Sequence, residues 1–206
     1  MERLPYVLQR ASSPHLDVIL ELVEDTADWL RGKNTNQWAT PWPDRPSRDE
    51  RIRQDLACGR TWIAWDGSIA AGTITIDADD PVGPAGNHVW PEYRRLERAL
   101  YVRRVITRRQ SHAGLGLGAA LFNWASEAAQ REIGIPLIRI DVWTDNWDLH
   151  DYYRDQGFVL CEFRDPGALP GYPSLALFER RTNPDQGNGS ALFSSGQPVT
   201  LKQTYC

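Results

Sequence analysis

The sequence predicts a single domain of the α/β class. The chain has 206 residues, of which 41% are apolar, so it can bury one large core but is short for two full domains. The predicted elements follow in the order strand, helix, helix, three strands, helix, strand, helix and two strands, which fits one layered structure better than separate domains. We expect the domain to span residues 1–181 and a polar tail or extension to occupy 182–206.

The first third of the chain predicts one strand and two helices. Residues 3–11 are typical of a strand, and the Ser-Pro pair at 13–14 is typical of a helix start. Apolar residues then recur at helical spacing until Gly32. A capping box that begins at Ser47 predicts a second helix, which runs to about Cys58.

The rest of the chain predicts six strands and two helices. Residues 60–79 contain two β-rich runs separated by the Asp-Gly dipeptide at 66–67, a hairpin signal. A strand at about 98–108 and a helix at about 116–133 follow. The remaining predicted elements are a strand at 136–144, a helix from Asn146 to Gln156, and strands at 158–163 and 173–180.

Composition and charge argue against several classes of protein. The net charge of −4 argues against a general nucleic-acid binder. The sequence contains no run of eighteen apolar residues, so it predicts no membrane span. The N-terminal residues lack the apolar segment and cleavage site of a secretory signal. Three widely spaced cysteines predict neither a disulfide framework nor a metal site. We therefore expect a cytoplasmic, bacterial protein without a metal, a nucleic acid or a membrane as partner.

A glycine-rich loop stands between the strand at 98–108 and the helix at 116–133. Gly114, Gly116 and Gly118 let a ligand approach the backbone closely, and the free N–H groups of the following helix favour an anion such as a pyrophosphate. An ordinary flexible connector is the alternative for this segment taken alone. A dinucleotide fingerprint belongs in a first βαβ unit and a P-loop needs Gly-Lys-Ser/Thr, so neither of these designs fits.

A second motif follows after one further strand. The pattern N-x-x-L-x-x-x-Y-x-x-x-G-F is formed by Asn146, Leu149, Tyr153, Gly157 and Phe158. Together with AGLGLGAAL at 113–121, it resembles the two cofactor segments of the GCN5-related N-acetyltransferase (GNAT) superfamily. The resemblance covers about residues 98–163. It implies a central mixed, mostly antiparallel sheet of six to seven strands, with strands 4 and 5 splayed around the cofactor and about four flanking helices.

The resemblance also implies that the cofactor is acetyl-CoA. The strand ending at 105–107 would pair through its backbone with the pantetheine arm, the glycine loop would hold the pyrophosphate, and Asn146 would contact pantetheine, cap its helix, or do both. The family usually has Arg or Gln where this chain has Ala113. The side chains that can supply the missing donor are Arg108, Arg109 and His112. The expected cofactor-binding residues are Val105, Ile106, Thr107, Arg109, Ala113, Gly114, Leu115, Gly116, Leu117, Gly118, Ala119, Asn146 and Tyr153.

Tyr153 falls at the position of the family's general acid. A thiol titrates near ~8.5 and a tyrosine near ~10, so a phenol can protonate the departing CoA sulfur. The alternative is that Tyr153 is only a core aromatic residue of its helix, although its neighbour Tyr152 can take that packing role. The attacking amine must be neutral, so a base is expected, with Asp141 as our candidate and Glu92 and Glu97 as alternatives.

The acceptor side carries several tryptophans. Trp38, Trp42 and Trp143 are the candidate substrate-binding residues, with Trp29 and Trp147 nearby in the sequence. An aromatic-rich cleft with the aspartates at 79, 80, 145 and 148 nearby would suit a cationic, partly apolar amine. The alternative is that the tryptophans only pack in the core and loops and that the aspartates only form turns. We expect a monomer or homodimer that acetylates a primary amine of a small molecule or peptide by direct attack in a ternary complex. The alternative is a degenerate member of the same fold that binds an acyl-CoA as a sensor or partner module without turnover.

Overall fold

A mixed β-sheet forms the centre of the molecule. A computed structural model of the chain describes residues 6–80, 86–182 and 192–194, and these residues contain eight strands and six α-helices. The strands are β1 (Tyr6–Arg10), β2 (Thr61–Asp66), β3 (Ile69–Asp77), β4 (Ala99–Thr107), β5 (Leu137–Val142), β6 (Val159–Phe163), β7 (Ala176–Arg181) and β8 (Phe193–Ser194). The helices are α1 (Leu16–Leu30), α2 (Arg45–Ala57), α3 (Glu92–Arg95), α4 (Arg109–His112), α5 (Leu117–Ile133) and α6 (Trp147–Asp155).

The strands lie in the order β6-β7-β5-β4-β3-β2-β1-β8. Only the β4–β5 and β1–β8 pairs are parallel, and every other pair is antiparallel. The predicted fold class, a mixed and mostly antiparallel sheet within one α/β structure, is confirmed. The eighth strand arises because residues 193–194, predicted to lie in the tail, pair with β1. The other residues of that tail, apart from Thr182 and Leu192, lie outside the described part of the chain.

Helices cover both faces of the sheet because apolar residues alternate along the strands. In β2, Trp62 and Ala64 join the core beneath α5, whereas Ile63 joins the core beneath α1 and α2. The short helices α3 and α4 are additional to the four that the sequence predicted.

Two local expectations need correction. Helix α2 begins at Arg45 rather than at a capping Ser47, because Asp44 is the N-cap and its Oδ1 accepts the Ser47 N–H at 2.7 Å. That hydrogen bond lowers the pKa of Asp44. Cys58, which follows α2, is disulfide-bonded, although the cysteine spacing did not predict this.

Strands β4 and β5 pair only at one end. Residues 99–101 of β4 lie opposite residues 137–139 of β5, and no pairing between the two strands follows. The register of β4 against β3 also shifts between Arg103 and Ile106, where Arg104 has a φ of +48°. This is a β-bulge, which bends the strand and leaves an extra residue unpaired. The predicted splay of strands 4 and 5 is therefore present.

Candidate active site

A cleft of about 610 Å³ opens where β4 and β5 separate. Residues from α1, α2 and the intervening loop line one side of it, and residues from α5 and α6 line the other. The bulged end of β4, the C-terminal end of β5 and the loop at 172–174 also contribute to the lining. The cleft therefore lies in the place predicted for the cofactor and the acceptor.

The glycine loop leads into the start of α5 at the edge of this cleft. Gly114 and Gly116 have φ values of +72° and +76°, a region that side chains rarely adopt, and no atom lies within 4 Å of where their Cβ atoms would stand. The first intrahelical bond joins the Ala120 N–H to the Gly116 carbonyl at 3.0 Å. The N–H groups at 117–119 thus have no intrahelical acceptor, which makes this end of the helix suited to an anion.

One arginine beside the loop is placed to supply the donor that Ala113 does not. Arg109 lines the cleft, its guanidinium lies 4.0 Å above the Trp29 ring, and its buried Nε has no hydrogen-bond partner in the described residues. Burial lowers the pKa of Arg109. Arg108 instead donates to Glu21 at 2.8 Å and to the Ala70 carbonyl at 2.9 Å, and is directed away from the cleft lining. His112 lines the cleft but its Nε2 pairs with Asp66 at 3.0 Å.

Three of the expected cofactor residues do not line the cleft. Ile106 is buried in the core beneath α1, because its neighbours Val105 and Thr107 take the opposite face of the strand. Ala113 and Leu115 alternate with glycines in the loop, and Leu115 is exposed. The expected residues that do line it are Val105, Thr107, Arg109, Gly114, Gly116, Leu117, Gly118, Ala119, Asn146 and Tyr153.

Asn146 caps α6 and also faces the cleft. Its Oδ1 accepts the Leu149 N–H at 3.1 Å, which is the capping bond that the sequence suggested. Its Nδ2 donates to the Gln37 side chain at 2.5 Å and so joins α6 to the loop between α1 and α2. The cap is therefore present, and Asn146 lines the cleft as a pantetheine contact would require.

The two tyrosines of α6 have different surroundings. The ring of Tyr153 packs against Phe122, Phe158 and Phe178, with centroid distances of 5.6, 5.8 and 6.1 Å. Tyr153 also lines the cleft, and burial, followed by the charges of Tyr152 and Asp141, raises the pKa of its phenol, which keeps it protonated. A Cβ added to Gly118 would stand only 2.5 Å from the Tyr152 hydroxyl, so this hydroxyl lies against Gly118.

Asp141 lines the cleft at the free end of β5. Its Oδ2 accepts the Tyr172 hydroxyl at 2.6 Å. Burial raises the pKa of Asp141, against the opposing effects of that hydrogen bond and of the Arg103 charge. A carboxyl with a raised pKa is a better proton acceptor from an amine than an ordinary aspartate. The alternative bases Glu92 and Glu97 do not line the cleft.

The predicted substrate tryptophans all reach the cleft. Trp38, Trp42 and Trp143 line it, whereas Trp147 is exposed and packs on His150 and Phe163 outside it. Of the four aspartates expected nearby, only Asp148 lines the cleft. Asp145 instead accepts hydrogen bonds from Thr35 and Asn36, and Asp80 accepts the Trp90 N–H at 3.1 Å.

Sequence reasoning missed three arginines of the cleft. Arg51 from α2 and the adjacent Arg103 and Arg104 from β4 all line the cleft. Neighbouring residues of a regular strand point to opposite faces, so the bulge at Arg104 is needed to place both β4 arginines in one cleft. Two adjacent arginines in a predicted strand were the available signal, but a bulge cannot be read from them.

The part of the chain that the structure describes offers neither a metal site nor a membrane-spanning helix. These residues hold no group of three or more His, Cys, Asp and Glu side chains arranged for a metal ion. None of the helices in the described ranges is long and apolar enough to cross a membrane.

Comparison with known proteins agrees with this geometry. Residues 23–158 match the model of the acetyltransferase (GNAT) family. A Bacillus subtilis (strain 168) protein named uncharacterized N-acetyltransferase YesJ is 29% identical over 146 residues, which are 68% of this chain and 74% of that protein.

Two solved structures share the fold. A GNAT family acetyltransferase from Listeria monocytogenes 4b F2365 superposes with a TM-score of 0.65 at 21% identity, over 86% of this chain and 95% of that one. The PaiA N-acetyltransferase from Thermoplasma acidophilum, solved in complex with coenzyme A, superposes with a TM-score of 0.60 at 15% identity, over 85% of this chain and 98% of that one. The family model covers well over half of the sequence, and the splayed sheet has the same architecture as these structures. The chain therefore belongs to the GNAT acetyltransferase family.

Proposed function

We propose that this protein transfers the acetyl group of acetyl-CoA to a primary amine of a small molecule or peptide, by direct attack within a ternary complex. The observation that carries the proposal is the convergence of three features on one cleft. These are the glycine-rich start of α5, the carboxyl of Asp141 and the phenol of Tyr153. Membership of the family supports the acetyltransferase activity, and the coenzyme A complex of the Thermoplasma relative supports the choice of cofactor.

The residues present fit such a cofactor. Positive φ angles at Gly114 and Gly116 leave the loop open on its cleft side, and Arg109 offers a buried Nε without a partner in the described residues. The backbone N–H groups at 117–119 and the Arg109 guanidinium would hold the pyrophosphate. Val105 and Thr107, on the unpaired end of β4, would lie along the pantetheine arm.

Bound acetyl-CoA supplies an activated acetyl group as a thioester. Asp141 accepts a proton from the acceptor amine, which leaves the nitrogen lone pair free to form the new bond to the acetyl carbon. Tyr153 donates its phenolic proton to the sulfur as the carbon–sulfur bond breaks. The products are the acetamide and free CoA thiol, and proton exchange with solvent returns Asp141 and Tyr153 to their starting states.

The experiment is a screen of purified protein with acetyl-CoA against a library of amines, with thiol release and acetylated product measured together. Matched formation of thiol and acetamide is expected for at least one amine. Tight binding of acetyl-CoA without product from any amine would contradict the proposal and favour the acyl-CoA sensor. We also propose that the protein works in the bacterial cytoplasm as a monomer or homodimer, which the bacterial origin of the compared Bacillus and Listeria relatives supports.

A further inference from the structure

The acceptor side of the cleft carries an arginine cluster, formed by Arg51, Arg103 and Arg104. All three side chains line the cleft and all three are partly buried. A guanidinium is always charged and presents donors in a planar fork that matches an oxyacid anion. An anion can bind these donors only where carboxylates of the protein do not already occupy them.

Two aspartates neutralise the cluster only in part. Asp55 lies 3.2 Å from Arg103, 3.7 Å from Arg60 and in direct contact with Arg104. Asp77 lies 3.1 Å from Arg60 and 3.3 Å from Arg103. Arg60, Arg103 and Arg104 thus share two carboxylates, which leaves an excess of positive charge before Arg51 is counted.

Arg51 has no carboxylate within 4.0 Å among the described residues. One of its amino groups donates to the Trp42 carbonyl, and the guanidinium lies 5.1 Å from the centroid of the Trp42 ring. Burial lowers the pKa of Arg51, and the nearby charge of Arg103 adds to that effect, against the opposing effects of Tyr172 and Asp44. Burial also lowers the pKa of Arg104 to about 10, and the charge of Arg51 adds to that effect against the opposing effect of Tyr172. Arg51 is therefore repelled by both Arg103 and Arg104, and an anion bound beside Arg51 would relieve that repulsion.

The proposed base shares a wall with this cluster. The Tyr172 hydroxyl donates to Asp141 at 2.6 Å, and the Tyr172 ring packs edge-on against Trp42 at 4.8 Å, the same ring that lies beside Arg51. Arg103 is close enough to Asp141 to lower the pKa of its carboxyl against the effect of burial. The wall thus presents donors for an anion and an acceptor for an ammonium proton side by side.

We propose, on the basis of the proposed function, that the acceptor is a small molecule that carries an anionic oxyacid group in addition to its primary amine. Arg51 and Arg103 bind the anionic group, a carboxylate or a phosphonate, and so direct the amine toward Asp141. A cationic, partly apolar acceptor without an anionic group, which the tryptophans and aspartates of the sequence suggested, would meet like charge on this wall.

Matched acceptor pairs test this inference. The first set is the free L-amino acids against their α-carboxamides, and the second is aminoalkylphosphonates against the corresponding amino alcohols. The amine of a carboxamide is the less basic one, so amine ionisation alone would favour the carboxamide near pH 7.5. We expect the anionic member of at least one pair to show a kcat/KM higher by roughly 10–10²-fold, since charge-assisted hydrogen bonds are lost in its partner. Which set responds distinguishes a carboxylate from a phosphonate.

Substitution of the unpaired arginine locates the effect. Arg51→Gln is expected to lower kcat/KM for the anionic acceptor by about 10²-fold and for its neutral partner by a much smaller factor. Arg53→Gln is the control, because Arg53 lies on the same helix but is exposed and pairs with Glu50 at 3.2 Å. Equal use of both members of every pair by the wild type, or an equal loss for both in Arg51→Gln, would overturn the inference.

Failure of turnover is kept separate from failure of recognition. If no acceptor in either set is acetylated, the same compounds are titrated by calorimetry into the protein saturated with CoA. Binding of the anionic members that Arg51→Gln abolishes would uphold the inference while the proposed function fails. Absence of binding by every anionic member would overturn the inference whatever the fate of the proposed function.

Discussion

The two sides of the cleft offer different groups for binding. The side proposed for the cofactor offers mainly backbone, with glycines at positive φ and the free N–H groups at the start of α5. The side proposed for the acceptor offers long side chains that come from distant segments, among them Arg51 of α2, the bulged pair of β4 and Tyr172. A backbone site needs one continuous segment, whereas a side-chain site needs the fold to assemble it. Variants on the cofactor side should therefore change affinity for acetyl-CoA, and variants on the acceptor side should change turnover and selectivity.

The largest effect is expected from Tyr153, the proposed general acid, which lines the cleft. Tyr153→Phe keeps the ring within its cluster of phenylalanines and removes only the hydroxyl, so folding and acetyl-CoA affinity should hold. If proton transfer to sulfur limits the rate, kcat falls by roughly 10²–10⁴-fold. The loss should shrink as pH rises, because the thiolate leaves more easily without a proton donor.

Tyr152→Phe is the matched control for that substitution. Its hydroxyl lies against Gly118, in the first turn of α5 where the pyrophosphate is proposed to bind, and not among the phenylalanines, so it should affect acetyl-CoA affinity more than kcat. A larger loss of kcat in Tyr152→Phe than in Tyr153→Phe would exchange the roles of the two tyrosines.

Asp141→Asn should lower kcat by about 10²-fold if the carboxyl is the base. Burial raises the pKa of Asp141. As the pH decreases, the wild-type rate should therefore begin to fall at a higher pH than it would with an ordinary aspartate as the base. The variant should lose that step and keep only the fall that protonation of the amine itself produces. Rate profiles of both proteins with one acceptor check this.

Stability gives an independent measure for the same residue. A raised carboxyl pKa stabilises the folded state at low pH, and that contribution is lost as pH rises through the folded-state value. The asparagine does not ionise, so the melting temperature of Asp141→Asn should match or exceed that of the wild type at pH 8. A lower melting temperature together with a lower rate would make Asp141 a structural residue.

On the cofactor side, Gly116→Glu should weaken acetyl-CoA binding by roughly 10–10²-fold, because it places a carboxylate against the pyrophosphate and costs hydrogen bonds to a charged group. Gly134→Glu is the control. Gly134 ends the same helix with a φ of +60° and open space around its Cβ, so the two variants share the backbone strain and the charge. Calorimetry should find normal affinity for Gly134→Glu. Equal weakening in both would remove the loop from the binding site.

Arg109→Gln should have a smaller effect, about a tenfold loss of acetyl-CoA affinity, since the backbone donors remain. The dependence of affinity on salt should also become shallower, because one charge has been removed. Arg108→Gln provides the comparison, as Arg108 is paired with Glu21 and Asp25. If Arg108→Gln were the variant with lower affinity, the missing donor would have been assigned to the wrong arginine.

The difference between the two sides also explains what the sequence revealed. The single α/β domain could be predicted, because local spacing and the order of the elements determine it. The splayed sheet, its cleft and the cofactor role of the glycine loop were implied by the resemblance to the GNAT superfamily. Ile106 was included for its backbone, which the predicted pairing with pantetheine would use, and strand alternation directs its side chain into the core. Arg104 could not be placed, because the positive φ of a β-bulge has no signature in the pair of arginines. Arg51, Tyr172 and Asp141 line the same cleft only after α2 and the loop before β7 have packed.

The smallest effect on turnover is expected from the C-terminal segment. The boundary at residue 181 predicts that a chain ending at Asn183 keeps both sides of the cleft. None of residues 192–194 lines the cleft, and β8 pairs with β1, at the edge of the sheet farthest from β6. Phe193 packs against the core, with its ring 6.4 Å from that of Tyr6. Loss of this packing should cost about 1 kcal/mol, which lowers the melting temperature by roughly 2–4 °C in a domain of this size.

Truncation after Asn183 should therefore leave kcat/KM within about twofold of the wild type, while Phe193→Ala in the full chain reproduces most of the change in melting temperature. Both measurements are made with reductant present, so that the disulfide at Cys58 does not enter the comparison. A truncated protein that binds acetyl-CoA normally but turns over no acceptor would show that the segment belongs to the acceptor side. The division of the cleft would then be incomplete, because the acceptor side would draw on a third distant segment in addition to α2 and the loop before β7.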